Sequence, residues 1–272
     1  MTHLTLGPAL LFCPADRPER YAKAMERADG VILDLEDAVA PDTKQAARTA
    51  LIDNAATLDP ARVIVRVNPI GSPDHEHDLD AVARTPFRTL MVAKSESADA
   101  IADLRPGYNI IALCETARGI TEAERIAAVD RVIALMWGAE DLVASIGGSS
   151  SRRADGSYRD IARLARARVL LAAAAHDTAA IDAVHLDIAD TEGLAAEASD
   201  AVASGFAATA CIHPSQVETI RDAYRPSDEE ITDAKKILAA AEGQRGVFTV
   251  DGRMVDEPVL RHARAVLARA SQ

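Results

Sequence analysis

Two apolar runs in this chain end in carboxylates. Ile110-Ile111-Ala112-Leu113-Cys114 leads into Glu115, and Val132-Ile133-Ala134-Leu135-Met136-Trp137-Gly138-Ala139 leads into Glu140 and Asp141. Runs of this kind read as buried parallel strands, with the acids standing where strand gives way to helix. Glu115 and Asp141 are about one strand-plus-helix unit apart, so both could stand on one rim of a parallel sheet. Two oxygen ligands side by side suit Mg²⁺, which takes one or two carboxylates and keeps positions open for substrate. The competing reading is of two acids favoured by the dipole at helix N-termini.

Other polar residues fall at comparable places. Asp34, Glu36 and Asp37 follow the second apolar run, Arg66 and Asn68 the third, and Lys94 the fourth; His185 and Asp187 follow the seventh, and His213 the eighth. Arg66 interrupts Val63-Ile64-Val65 and Val67, where an unpaired guanidinium would be costly, so it must meet an anion. That anion is a substrate carboxylate or carbonyl oxygen, which is the expected partner, or a structural acid such as Asp34 or Glu36. Lys94 could form a Schiff base or act as an electrostatic clamp. A divalent cation polarising the carbonyl makes the Schiff base redundant and favours the clamp. Asp34, Glu36, Asp37, Lys94 and Glu140 are expected to support the metal and substrate contacts from behind. Gly138 and Ala139 are small enough to let backbone N–H groups approach a substrate carboxylate. Histidines such as His185 and His213 are more often satisfied core residues than catalysts. No nucleophile elbow and no common glycine-rich phosphate loop is present.

The elements that must position these groups alternate almost from end to end: short apolar runs, then amphipathic alanine-rich stretches. This is the pattern of a parallel sheet with helical crossovers. Eight strands are expected, at 9–13, 30–35, 62–67, 89–92, 110–114, 132–136, 183–186 and 207–212, enough to close an α/β barrel. Helix starts are expected at Asp16 with Glu19, Asp42 with Gln45, Thr121 with Glu124 and Ser227 with Glu230, from their capping-box spacing or a close variant. The polar, glycine- and serine-rich stretch 147–158 reads as a long loop. Beyond it, Phe248-Thr249-Val250 and Arg253-Met254-Val255 flank Asp251-Gly252, a hairpin signal, and Pro258 opens a last helix. The expected organisation is a barrel over 1–226 and a C-terminal helical and hairpin arm or lid over 227–272, packing on a neighbouring subunit.

Composition limits the partners. The chain has 272 residues and a formal net charge of −12, enough for one barrel of about 250 residues with an appendage. An acidic field repels phosphate backbones and anionic lipid, so neither nucleic acid nor a membrane surface is an expected partner. No long apolar segment or secretory leader is seen, and a cytoplasmic protein is expected. Three widely spaced cysteines, Cys13, Cys114 and Cys211, support neither a disulfide framework nor a zinc site.

In this order the motifs resemble the citrate lyase β-subunit-like family, acyl-CoA lyases of the HpcH/HpaI aldolase/citrate lyase group. The resemblance rests on Leu11-Phe12-Cys13-Pro14-Ala15-Asp16-Arg17-Pro18-Glu19-Arg20, Asp34-Leu35-Glu36-Asp37-Ala38-Val39 and Val65-Arg66-Val67-Asn68. It continues through Glu115-Thr116-Ala117-Arg118-Gly119, Trp137-Gly138-Ala139-Glu140-Asp141-Leu142, Ile212-His213-Pro214-Ser215-Gln216 and Gly252-Arg253-Met254-Val255-Asp256. One departure is Ala93, where the family usually has proline before its lysine.

The resemblance implies a (β/α)₈ TIM barrel, a homotrimer or hexamer, and Mg²⁺ on Glu115 and Asp141. It also implies substrate contact through Arg66, and Phe12, Arg17 and Lys23 holding coenzyme A. Asp256 on the arm would reach a neighbouring subunit's site as acid/base. The expected reaction is reversible cleavage of a 3-hydroxyacyl-CoA thioester, such as malyl-CoA or citramalyl-CoA, to an acyl-CoA and a 2-oxo acid. The alternatives are a malyl-CoA thioesterase or malate-synthase-like activity, a CoA-independent 2-oxo acid aldolase, and a non-catalytic scaffold subunit.

Overall fold

A computed structural model describes residues 6–244 and 246–270. Eight parallel strands run β1 Ala9–Pro14, β2 Gly30–Asp34, β3 Val63–Val67, β4 Thr89–Val92, β5 Asn109–Cys114, β6 Val132–Trp137, β7 Ala179–Asp182 and β8 Ala208–Cys211. They hydrogen-bond in sequence order, and β8 pairs with β1 to close the barrel. The helices between them are α1 Tyr21–Arg27, α2 Lys44–Asn54, α3 His75–Ala83, α4 Ala98–Ala102, α5 Ala117–Ala127, α6 Ala139–Ser145, α7 Asp160–Ala175 and α8 Thr191–Ser204, with α9 Gln216–Tyr224 after β8. The expected (β/α)₈ TIM barrel is the architecture found.

Strand alternation explains both the core and the rim. Leu10 and Phe12 of β1, Ile32 of β2, Ile64 of β3, Leu113 of β5, Met136 of β6, Ile181 of β7 and Ala210 of β8 pack together inside the barrel. Each fully buried large aliphatic residue there contributes about 1.5–3 kcal/mol. Side chains two residues apart on a strand share a face. One step beyond this apolar layer, the same inward face presents Asp34, Arg66, Glu115, Gly138 and Ile212 at the C-terminal mouth. A parallel barrel therefore turns five separate strand-end residues into one ring.

Several local expectations are corrected. β7 lies four residues earlier than the apolar stretch at 183–186. In Thr178-Ala179-Ala180-Ile181-Asp182-Ala183-Val184 two short apolar runs flank Asp182, and pairing of Ala134 with Ala179 and of Ile181 with Ala208 selects the first. His185 and Asp187 thus stand in the loop after the strand. α5 begins at Ala117, where the Thr116 side chain accepts from the Gly119 N–H, so Thr121 lies inside the helix. Asp16 and Asp42 cap nothing; both segments enter through short 3₁₀ turns with proline in the first turn. The stretch 147–158 is irregular apart from one bridge between Arg152 and Tyr158.

The chain forms two compact units, Met1–Ile220 and Arg221–Gln272, a division six residues before the expected boundary. In the second unit, α10 Asp228–Ala241 packs along α11 Glu257–Ala270. Ala234, Ala263 and Val266 form its small core, flanked by Ile231, Ile237, Leu238 and Leu267. Ser227 and Glu230 form the reciprocal capping box anticipated from their spacing. Between the helices, β9 Phe248–Val250 pairs antiparallel with β10 Arg253–Val255. The connecting Asp251 and Gly252 both have positive φ, 48° and 76°, as a two-residue type I′ hairpin turn requires. Among the described residues no helix is long and apolar enough to cross a membrane.

Candidate active site

The mouth of the barrel holds a cleft of about 220 Å³. One wall is charged and formed from β2, β3, β5 and the start of α6: Asp34, Arg66, Glu115, Glu140 and Asp141. The rest of the lining is largely apolar and includes Phe12, Met136, Ala183, Val184, Leu186 and Ile212. Such a division suits a ligand with an anionic end and a carbon skeleton.

Arg66 is fixed by its neighbours. The register of β2 against β3 places Asp34 beside it, and Asp34 Oδ1 accepts from Arg66 Nε at 2.7 Å while Oδ2 accepts from Nη2 at 2.5 Å. Nη1 lies 3.0 Å from Glu36 Oε2, and the guanidinium carbon is 4.9 Å from the centre of the Phe12 ring. The structural acids offered as the alternative from sequence, Asp34 and Glu36, both meet Arg66. Adjacent strands in register bring Asp34 alongside it before any ligand enters. Burial works against the guanidinium charge, but Asp34 and Glu36 outweigh it and raise the pKa above the ordinary arginine value. Three of its five N–H groups are used in this way, leaving two for a ligand in the cleft it lines.

Glu115 is 3% exposed. Its Oε1 accepts from the Lys94 backbone N–H at 3.1 Å, and Gly138 packs directly against its side chain. Burial, reinforced by the negative charge of Asp141, pushes the Glu115 carboxyl up to about 8. The Lys94 ammonium stands among four acids. It donates to Glu36 and, at 3.2 Å, to Asp37, and it lies 3.5 Å from Asp141 Oδ1 and 3.9 Å from Glu115 Oε1. Burial opposes its charge, yet the hydrogen bond to Glu36 and the neighbouring carboxylates hold its pKa above the ordinary lysine value.

The remaining sequence candidates fall in different places. Gly138 is the N-cap of the short helix α6, and Ala139 its first residue; both line the cleft. Glu140 turns to the loop 147–158, where Ser151 Oγ donates to its Oε1 at 2.5 Å. Arg17 and Lys23 are exposed in the segment that follows β1, outside the cleft lining. His213 is exposed and contacts Ser215 Oγ through Nδ1 at 2.7 Å. His185 is buried with Nδ1 2.9 Å from a Glu197 oxygen, a structural arrangement. Asp256 belongs to the second unit, where Oδ1 accepts from the Val259 N–H at 3.3 Å. The three cysteines are buried thiols.

Sequence reasoning missed a polar network behind the β6–β7 side of the barrel. Trp137 Nε1 donates to Asp182 Oδ1 at 2.6 Å, and Arg166 Nη2 donates to Asp182 Oδ2 at 2.8 Å. Tyr158 meets the Trp137 ring edge-on at 5.3 Å between centroids. The available signal was Trp137 itself, whose lone N–H inside an apolar strand needs an acceptor.

Among the described residues no cluster of three or more His, Cys, Asp or Glu side chains is arranged to hold a metal. The pair Glu115 and Asp141 still fits Mg²⁺. Both are hard oxygen donors, both approach the same cationic nitrogen, and two carboxylates with open positions match this ion's habit.

Known proteins agree with this architecture. A family model described as HpcH/HpaI aldolase/citrate lyase matches residues 9–214. A citrate lyase subunit beta-like protein of Mycobacterium tuberculosis is 56% identical over 266 residues, covering 98% of this chain and 96% of that protein. A (3S)-malyl-CoA thioesterase of Cereibacter sphaeroides is 36% identical over 273 residues, covering 96% and 94%. The crystal structure of the protein CitE from Mycobacterium tuberculosis, in complex with magnesium, acetoacetate and coenzyme A, superposes with a TM-score of 0.92 at 55% identity. That match covers 99% of this chain and 100% of the other.

Proposed function

The chain belongs to the HpcH/HpaI aldolase/citrate lyase family, and from that premise we propose that it cleaves or forms the carbon–carbon bond of a 3-hydroxyacyl-CoA thioester. It is a magnesium-dependent enzyme of the lyase class, and its finer substrate reading rests on the cleft. The observation that carries it is the pairing of Glu115 and Asp141, two carboxylates on one rim, with the fixed guanidinium of Arg66 in the same wall.

When bound by Glu115 and Asp141, Mg²⁺ supplies a Lewis acid for the oxygens of the departing 2-oxo acid. The chain's own residues do the rest. Asp34 and Glu36 hold Arg66 so that its remaining N–H groups face developing negative charge without reorganising, which is where preorganised donors are most effective. Gly138 makes room for the Glu115 side chain, and the backbone of Gly138 and Ala139 at the start of α6 meets the substrate carboxylate. The apolar wall of Met136, Val184, Leu186 and Ile212 excludes water from the acyl chain. In cleavage the hydroxyl proton passes to solvent water as base, the bond between C2 and C3 breaks, and its electron pair moves onto the thioester as an enolate. Asp256 of a neighbouring subunit then supplies the proton that completes the acyl-CoA product. Phe12, Arg17 and Lys23 bind the coenzyme A moiety, and the assembly is a homotrimer or hexamer.

The identity with a malyl-CoA thioesterase favours one second reading, hydrolysis of the same thioester by water. Incubation with malyl-, citramalyl-, methylmalyl- and hydroxymethylglutaryl-CoA, followed by mass spectrometry, separates the two. The lyase yields an acyl-CoA with glyoxylate, pyruvate or acetoacetate, and chelation of magnesium stops it. Release of free coenzyme A and the hydroxy acid without an oxo acid marks a thioesterase. No turnover of any member overturns both.

A further inference from the structure

Lys94 is held at both ends of the residue. Its backbone N–H donates to Glu115 Oε1, while its ammonium bonds Glu36 and Asp37 and sits within 4 Å of Glu115 and Asp141 oxygens. Its φ of 47° lies in the left-handed region, which a lysine adopts only where its surroundings impose it. A Schiff-base lysine would stand free to attack a carbonyl; this one is engaged by acids on several sides.

The geometry assigns Lys94 as the built-in counter-cation of the metal site. It stands against the Asp141 carboxylate and the buried Glu115 carboxyl in the metal-free chain and opposes Mg²⁺ electrostatically when the ion enters. This assignment rests on the magnesium reading above. An ion held by Asp141 would stand close to the Lys94 ammonium, which lies 3.5 Å from Asp141 Oδ1, unless the side chain withdraws. Withdrawal is available, because Glu36 and Asp37 already hold the ammonium. Lys94 is thus a positioning residue that keeps the two ligands together without metal and keeps the metal exchangeable. A mere structural salt bridge would act in the opposite sense, since losing it would loosen the ligands and weaken the metal.

The test uses the full-length protein with Lys94→Met, Lys94→Gln and Lys94→Arg, titrated with MgCl₂ by calorimetry at low ionic strength, with melting followed with and without magnesium. Removing the charge should tighten magnesium binding about tenfold, the order expected for a unit charge a few ångströms from a divalent ion in a solvated site. The metal-free variants should melt below wild type, with most of the loss recovered on adding magnesium. Lys94→Arg should keep near wild-type affinity. Unchanged or weaker magnesium binding in both neutral variants overturns the assignment, as does a variant that cannot fold and that magnesium does not rescue. One that folds only with magnesium supports it. Failure of the wild type itself to bind magnesium overturns the metal reading instead.

Discussion

Gly138 is small for a steric reason. Its backbone is extended, with φ −128°, so the conformation would accept other residues. A Cβ there, however, would stand 2.8 Å from Glu115 Oε2 and 2.9 Å from Glu115 Cβ. Gly138→Ala should therefore swing Glu115 off its place and weaken magnesium binding about tenfold or more, while overpacking costs about 1–3 kcal/mol of stability. Calorimetric titration beside urea unfolding checks it, and wild-type affinity would refute the steric argument. Arg66→Met leaves Asp34 and Glu36 buried without their shared cation and should destabilise the chain by about 3–5 kcal/mol in urea unfolding. Burial also pushes the Cys13 thiol from 9.0 up to about 11. The folded chain then favours the protonated form, so this group's stabilisation is present below 9 and is lost as pH rises toward 11. At pH 8 its reactive thiolate is about a hundredfold scarcer than in a free thiol. Iodoacetamide should leave Cys13 unmodified at pH 8 in the folded chain and label it in urea. Sequence identified Arg66 as a residue needing an anion, but which anion depended on the β2–β3 register.

At the scale of elements, the site exists because strands end where helices begin. Thr116 follows Glu115 and caps α5, accepting from the Gly119 N–H at 3.0 Å and donating to Glu96 at 2.6 Å. Thr116→Ala should cost about 1 kcal/mol and weaken magnesium binding through the freed strand end. Thr121→Ala, inside the helix with an exposed hydroxyl, should change stability by less than about 0.5 kcal/mol. Equal losses in thermal and urea unfolding would restore Thr121 as the cap. Seven of the eight strands lay within one or two residues of their expected bounds, because each is a short, mainly apolar run between polar stretches. β7 did not, since apolar runs stand on both sides of Asp182 and only hydrogen bonding to β6 and β8 chose between them.

At the scale of the molecule, the barrel gathers residues from 12 to 212 around one cleft, while Asp256 stands on a separate compact unit. If a neighbouring subunit's arm completes each site, co-expressed Glu115→Gln and Asp256→Asn chains should form mixed assemblies with activity well above either variant alone. One subunit then supplies an intact metal site and the other an intact aspartate. Mixed assemblies as inactive as the parents, with oligomer formation verified by light scattering, would remove Asp256 from the neighbouring site.

The sequence by itself determined the barrel, the standing of Glu115 and Asp141 at one rim of it, and the C-terminal hairpin. These follow from periodicity, chain-local turn chemistry and residue type, which are written along the chain. Tertiary structure alone decided that Asp34 and Glu36 meet Arg66, that Lys94 stands between four carboxylates, and that Trp137 finds Asp182. Those contacts join residues up to 58 positions apart, and strand register and barrel closure, not local pattern, set which side chains share a space.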